Sequence, residues 1–375
     1  MSTNAISSFL KHRKPYLTSE GRRALLKAGA AAVGVVGAAA FFVAPRKRDW
    51  QTTAKWKEIE KHRYAHRGLF DEPPSAQAYP KGMAGDPFKG VGKGDGIMQF
   101  PDKIVQFTDK VITKSPDAVV APPLWKDDVK DWANLMPENS LPAFRAAAEA
   151  GYGVEMDVRL TKDNVPVVVH DSDLERVCGR AGFVEQLTHE ELCEYRLLGT
   201  DEQIPTFAQA IALFDTDPKT KRRCAPVLIE LKTTVTNYAD LVRLVMLTLD
   251  RHDVDYCIQS FDTRVLWWLR RHRPGVLRGQ LSEDFLLDLG TEKYGLPLRV
   301  GQSWLLCNVM GRPDYISYKF ADRRNPFVWL ATRLMGAHMV TWIIRSEADL
   351  AESEREGAPA IFEHIRPDTK SRLSK

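Results

Sequence analysis

The chain lacks most of what would mark a specialised class of protein. Its five cysteines (Cys178, Cys193, Cys224, Cys257 and Cys307) are odd in number, scattered and without a C-x-x-C pair. That pattern argues against a disulfide framework or a zinc cluster and reads as core residues. An excess of one charge is missing too. Fifty-three basic against 49 acidic residues leave a net +4, too near balance to indicate nucleic acid as a partner. There is a single long apolar run, which excludes a polytopic membrane protein. With 44% hydrophobic and 27% charged residues, the 375-residue chain can bury a full core, so disorder is excluded as its dominant state.

What is present begins with an address or an anchor. Residues 1–27 are polar and basic, carrying Lys11, Arg13, Lys14, Arg22, Arg23 and Lys27. An uncharged run over 28–45 follows, closed by Arg46-Lys47-Arg48. At helical rise it spans roughly 27 Å, barely a bilayer core. The sequence predicts a single N-terminal span in the cell membrane with the bulk of the chain outside. The alternative is export, because Arg22-Arg23 ahead of a mildly apolar stretch resembles a twin-arginine signal and Ala38-Ala39-Ala40 offers a small-residue cleavage site. Either way the folded domain is expected over 60–375.

Beyond residue 60, short β-branched runs alternate with helical patterns. The runs are 154–160, 165–170, 227–232, 256–261, 276–281, 314–319, 339–345 and 360–364. Alternation of this kind predicts an α/β fold with a parallel sheet wrapped by helices. Between Leu160 and Val167 there is no room for a crossover helix, so Asp163-Asn164 is expected to turn a hairpin that sets Asp157 opposite His170. Leaving out the returning hairpin strand and adding Tyr64–His66 gives eight strands, the number of a closed TIM-type (β/α)8 barrel. Glu155 and Asp157 share one strand face, with Val154, Met156 and Val158 on the other. Glu230 and Lys232 likewise share a face. Thr188-His189-Glu190-Glu191 has the form of a capping box and predicts a helix start.

The polar residues at the strand ends occur in a recognisable series: His66-Arg67-Gly68, Pro137-Glu138-Asn139-Ser140, Glu155-Met156-Asp157-Val158, Val168-Val169-His170-Asp171, Ile229-Glu230-Leu231-Lys232 and Gln259-Ser260-Phe261. In this order they resemble the glycerophosphodiester phosphodiesterase family, over residues 64–68 and 137–367. The resemblance implies a TIM-type barrel that hydrolyses glycerophosphodiesters to glycerol phosphate and an alcohol, with a glycerol hydroxyl as nucleophile. It also implies Glu155, Asp157 and Glu230 as ligands of one divalent cation, His66 and His170 as general acid and base, and Arg67 and Lys232 on the phosphate. An all-carboxylate set suits a hard cation, Ca²⁺ or Mg²⁺, and imidazoles titrate near neutrality, as proton transfer in both directions requires. A membrane-held lysophospholipase D, a phospholipase-type phosphodiesterase and a barrel that only binds are the competing functions, with a glycerophosphodiester or a lysolipid as the small-molecule partner.

Some residues stay open between a site role and a structural one. Glu138 and Asn139 either enter the site or cap the next helix, and Trp342 is either a wall for the alcohol moiety or barrel packing. Glu363, where many relatives carry a Thr-Asp pair, receives no role. The largest departure from the resemblance is 69–136, inserted after the first strand. Its Phe100, Phe107, Trp125 and Trp132 predict burial against the barrel rim or a lipid-like substrate, as a cap would provide.

Overall fold

The computed structural model describes residues 37, 40–47, 50–71, 135–217, 219–220, 223–287, 291, 294–369, 371 and 373. Nine strands form one sheet: β1 (Tyr64–His66), β2 (Gly153–Leu160), β3 (Pro166–Val168), β4 (Val227–Leu231), β5 (Tyr256–Ser260), β6 (Arg278–Ser282), β7 (Tyr315–Lys319), β8 (His338–Ile344) and β9 (Ala360–Phe362). All but β3 run parallel, and β1 pairs with both β2 and β9, which closes an eight-stranded barrel. The expected fold class is therefore the observed one. Each expected run lies within two residues of an observed strand at either end, β6 starting two residues late at Arg278 and β3 shortened to three residues.

Alternation along the strands divides the core in two. Val154, Met156, Val158, Ile229 and Ile258 face outward and pack on Phe144, Phe207, Leu241 and Leu266 of the surrounding helices. Leu228, Cys257, Tyr315, Val340 and Ile361 fill the interior with Trp56 and Ile59. Trp56 and Ile59 come from outside the sequence limits, 60–375, expected for the domain. The helix Trp50–Ile59 places Trp56 stacked on His338 at 4.2 Å between ring centroids and 5.4 Å from Tyr315, and the Tyr64 hydroxyl donates to Ile59 O at 2.8 Å. Trp56 thus closes the amino-terminal end of the barrel. The compact unit begins at Val43, which is fully buried, rather than near residue 60. Most of the apolar run 28–45 lies outside the described residues. Among those described, no helix is long and apolar enough to cross a membrane.

The hairpin is real, but its register differs from expectation. Val158 pairs with Val168, Arg159 with Val167 and Leu160 with Pro166, so Asp157 lies opposite Val169 and not His170. The turn holds three residues, not two. Asn164 N donates to Thr161 O at 3.0 Å, Thr161 N donates to Val165 O at 3.1 Å, and Asn164 adopts φ 65. This is the three-residue hairpin whose last position is left-handed, which Asn tolerates. The Thr161 hydroxyl fixes it by accepting from Val165 N at 2.9 Å.

The long insertion leaves from the carboxyl end of β1, where Gly68 (φ 85) lies so close to Ala143 that a Cβ would sit 2.7 Å from its carbonyl carbon. The two ends of the excursion are pinned together: Asp71 N donates to Met136 O at 2.9 Å, and Met136 N to the Asp71 carboxylate at 3.0 Å. Residues 72–134, with Phe100, Phe107, Trp125 and Trp132, lie outside the described residues. After the insertion, Ser140 caps the helix Leu141–Ala150 by accepting from Ala143 N. The capping box at Thr188 forms as expected, with the side chains of Thr188 and Glu191 reciprocating.

Candidate active site

The site is built at the carboxyl ends of the strands, the end that barrel enzymes use. Glu155 and Asp157 come from β2 and Glu230 from β4, where the parallel register sets Asp157 beside Glu230. All three are buried, and each offers an oxygen within 4.8 Å of the others. Such crowding opposes ionisation. Burial, with the Asp157 and Glu230 charges, pushes Glu155 well above the usual carboxylate range. Burial also raises Glu230, against the pull of Lys232. Asp157 goes the other way: burial disfavours its charge, but Lys232, His170 and Arg67 outweigh that and hold it below the ordinary range. Lys232 Nζ lies 2.5 Å from Glu230 Oε1 and 3.3 Å from Asp157 Oδ1.

This donor set fits a divalent cation. Glu155 Oε2 and Asp157 Oδ1 are buried without a hydrogen bond. Asp157 Oδ1 has the Lys232 ammonium 3.3 Å away, while Glu155 Oε2 is in an arrangement that is costly unless a cation completes it. Asn139, from the loop before the Ser140 cap, orients Asp157: its Nδ2 donates to Asp157 Oδ2 at 2.9 Å and its Oδ1 accepts from Asp157 N at 3.3 Å. Asn139 can do so because it sits at φ 56 with its own N donating to Arg67 O.

The two histidines are prepared in the same way from different elements. His66 Nδ1 meets Glu363 Oε2 at 2.6 Å, and His170 Nδ1 meets Asp171 Oδ1 at 2.6 Å. A carboxylate on Nδ1 fixes ring and tautomer and leaves Nε2 for chemistry. Both rings line one cleft with Glu155, Glu230 and Lys232, and His66 Nε2 lies 3.9 Å from Glu155. Burial, followed by the Arg67 charge, lowers both imidazoles, and His170 is lowered strongly, with Lys232 adding to the effect. Both shifts favour the neutral ring. His170 reaches the cleft although its hairpin register is shifted, because β3 ends at Val168. Val169 N still donates to Asp157 O at 3.0 Å, and the chain then bends at His170.

Arg67 is held between Glu138 and Asp157. Its Nη1 donates to Glu138 Oε1 at 2.8 Å, and its Nε lies 3.3 Å from Asp157 Oδ2. Glu138 also takes two bonds from Arg176, at 2.6 and 2.9 Å, and Arg176 Nε in turn donates to Asp171. Opposite this charged side, Phe261, Leu281 and Trp342 give the cleft an apolar wall.

All seven residues singled out in the sequence meet here. Glu138 and Asn139, left between capping and site, are site residues, and Trp342 lines the cleft. Arg176 and Glu363 were missed. The signal for Glu363 was topological: β1 and β9 pair Ala65 with Phe362, so the next residues along, His66 and Glu363, come together only when the barrel closes. Arg345 completes that corner, with Nε donating to Glu363 Oε1 at 2.6 Å.

The fold and its site are those of a closed parallel barrel that gathers an acidic triad and two carboxylate-paired imidazoles at its carboxyl end. The model of the glycerophosphoryl diester phosphodiesterase family matches residues 132–352, more than half of the chain, and the chain belongs to that family. It is similar to glycerophosphodiester phosphodiesterase 1 of Bos taurus, with 39% identity over 248 residues, 56% of this chain and 68% of that protein. It is similar to a glycerophosphodiester phosphodiesterase of Caldanaerobacter subterraneus, with 29% identity over 43% of this chain and 70% of that one. A solved phosphodiesterase of Oleispira antarctica, in complex with sn-glycerol-3-phosphate, aligns with TM-score 0.49 and 19% identity over 63% of this chain and 90% of that one. The chain spans 63% of the uncharacterised Bacillus subtilis protein YqiK and 46% of a Mus musculus relative.

Proposed function

We propose that the chain hydrolyses glycerophosphodiesters to glycerol phosphate and an alcohol, with one divalent cation, Ca²⁺ or Mg²⁺, held by Glu155, Asp157 and Glu230. The observation that carries this reading is the pair of buried, unbonded carboxylate oxygens facing two imidazoles whose Nδ1 atoms are already engaged. A bound cation would neutralise charge on the phosphodiester and favour charge build-up during displacement. Arg67 and Lys232 bind the phosphate oxygens. One imidazole takes the proton of the attacking glycerol hydroxyl and the other protonates the departing alkoxide, which leaves a cyclic glycerol phosphate. Water then opens that ring to glycerol phosphate with the two proton roles exchanged. The anionic substrate counteracts the Arg67 field that depresses both rings and the Lys232 field that adds to it at His170, so a donor and an acceptor can coexist. The wall of Phe261, Leu281 and Trp342 suits the carbon skeleton of the alcohol. The basic, then apolar, amino terminus supports action at a membrane.

The test is release of glycerol phosphate from glycerophosphocholine with Mg²⁺, with Ca²⁺ and with a chelator. Metal-dependent product that disappears on chelation is the expected result. Absence of product with either cation, from folded protein, would overturn the reading. A parallel assay on lysophosphatidylcholine separates it from a lysophospholipase D.

A further inference from the structure

Away from the cleft, the helices that follow β6 and β7 present large apolar groups to solvent. Trp304 is 37% exposed, Trp329 57% and Leu334 66%. Trp304 stacks on Phe327 at 4.8 Å between centroids, which makes the indole a fixed platform. The segment Leu330–Leu334 is a π-helix, closed by Met335 N donating to Leu330 O. A π turn sets residues five apart nearly above one another, so Leu334 comes round to the side of Trp329. In an α-helix it would lie well off that side. Beneath the patch, Val328, Ala331 and Tyr318 are buried together with Val43. Val43 is near the last residue of the apolar run 28–45, so the run ends under this face.

Cations gather where Val43 and Ala44 dock. Arg312 Nη1 donates to Ala44 O at 3.1 Å, Arg270 Nη1 to Met310 O at 3.0 Å, and Lys47, Arg270 and Arg271 are exposed. The acid nearby, Asp314, is paired with Arg46 at 3.6 Å and Arg278 at 3.8 Å. Exposed indoles beside basic groups are the composition of a membrane-interface belt.

We propose that this face seats the barrel on an anionic bilayer surface, with Trp304, Trp329 and Leu334 entering the interface and the basic groups around Ala44 meeting lipid phosphates. Large apolar side chains exposed together mark an interaction surface. A bilayer fits because the chain's one long apolar run ends in the same cluster. The proposal is independent of the catalytic reading, since none of these residues lines the cleft.

The experiment measures tryptophan emission of the full chain mixed with vesicles of brominated phosphatidylcholine, with and without phosphatidylglycerol. Quenching that is stronger with phosphatidylglycerol, and reduced by roughly half in Trp304→Phe/Trp329→Phe, is expected if these two indoles are the interfacial ones. Leu334→Glu should reduce quenching without removing a fluorophore, and near-ultraviolet circular dichroism checks that both variants fold. Quenching unchanged in the double variant would overturn the proposal and assign lipid contact to other tryptophans. No quenching at all would also overturn it. So would a vesicle-free dimer that Leu334→Glu converts to monomer, because a second copy would then cover the face.

Discussion

At the residue scale, the three acidic residues are not equivalent. Asp157 holds Lys232, Arg67 and Asn139 in place, so Asp157→Asn disturbs a network as well as a ligand set. Glu155 is the cleaner probe: its oxygen lacks a hydrogen bond, and burial beside two like charges disfavours its ionised form. Glu155→Gln should therefore match or exceed the metal-free melting temperature of the parent, yet lose the rise that a divalent cation produces, together with most turnover. A full cation-induced rise in Glu155→Gln, followed by differential scanning fluorimetry, would remove Glu155 from the ligand set. Glu363 touches the site only through His66, and a positioning role is the one to test. Glu363→Gln keeps an acceptor near Nδ1 but removes its charge, so kcat should fall about 10-fold with KM little changed, less than the roughly 100-fold loss expected for His66→Ala. The pH–rate profile should move with it, because Glu363 opposes the depression of His66. An unchanged profile would leave Glu363 with a packing role.

At the scale of elements, two local structures carry separable weight. The hairpin that delivers His170 turns on Asn164, a left-handed position on an exposed loop. Asn164→Ala should cost about 1 kcal/mol, and Asn164→Gly far less, in urea unfolding. Equal costs would mean that the Asn side chain, not its backbone angle, holds the turn. The helix Trp50–Ile59 stoppers the opposite end of the barrel through Trp56. Trp56→Ala opens a cavity among Tyr315, His338 and Ile59 and should cost about 3–5 kcal/mol. Turnover per folded molecule should persist, because the stopper and the cleft occupy opposite ends of the strands. Loss of activity at full foldedness would mean that the barrel transmits strain along its length.

For the whole molecule, pH and cation act on the same carboxylates with opposite signs. Burial opposes charge on Glu138, but Arg176 and Arg67 outweigh it and depress its pKa. Glu363 is likewise well below its usual range: burial works against its charge, and His364, His66 and Arg345 prevail. Their stabilisation is complete above the unfolded carboxylate range near ~4.3 and is lost as pH falls through the folded values. Glu155 and Glu230 are raised. Without a cation, the folded state keeps their protons longer than the unfolded chain does, so stability is lost as pH climbs past that range toward their folded values. A cation that binds the ionised forms reverses this loss. The melting-temperature gain from Mg²⁺ or Ca²⁺ should therefore be larger at about pH 8 than at about pH 5. A gain of equal size at both would show that the cation binds elsewhere.

Most of this was written in local order along the chain. Strand and helix periodicity, the alternation that sends Glu155 and Asp157 inward and Met156 outward, and six short motifs in series determined the barrel and seven site residues, because each depends on neighbours a few positions away. The one-residue shift of the hairpin escaped, since a left-handed Asn serves two- and three-residue turns alike and only cross-strand packing chooses between them. Trp56 escaped because its partners, Tyr315 and His338, lie far along the chain. Glu363 and Arg176 escaped because their partners are not sequence neighbours: an acid beside His66 exists only once β9 closes on β1, and an arginine on Glu138 only once the segment after the hairpin reaches the loop ahead of the helix Leu141–Ala150. The sequence by itself determined which groups are the candidates for chemistry. The tertiary structure decided which charges orient most of them, because those contacts join residues held apart along the chain, from 38 positions for Glu138 and Arg176 to 297 for His66 and Glu363.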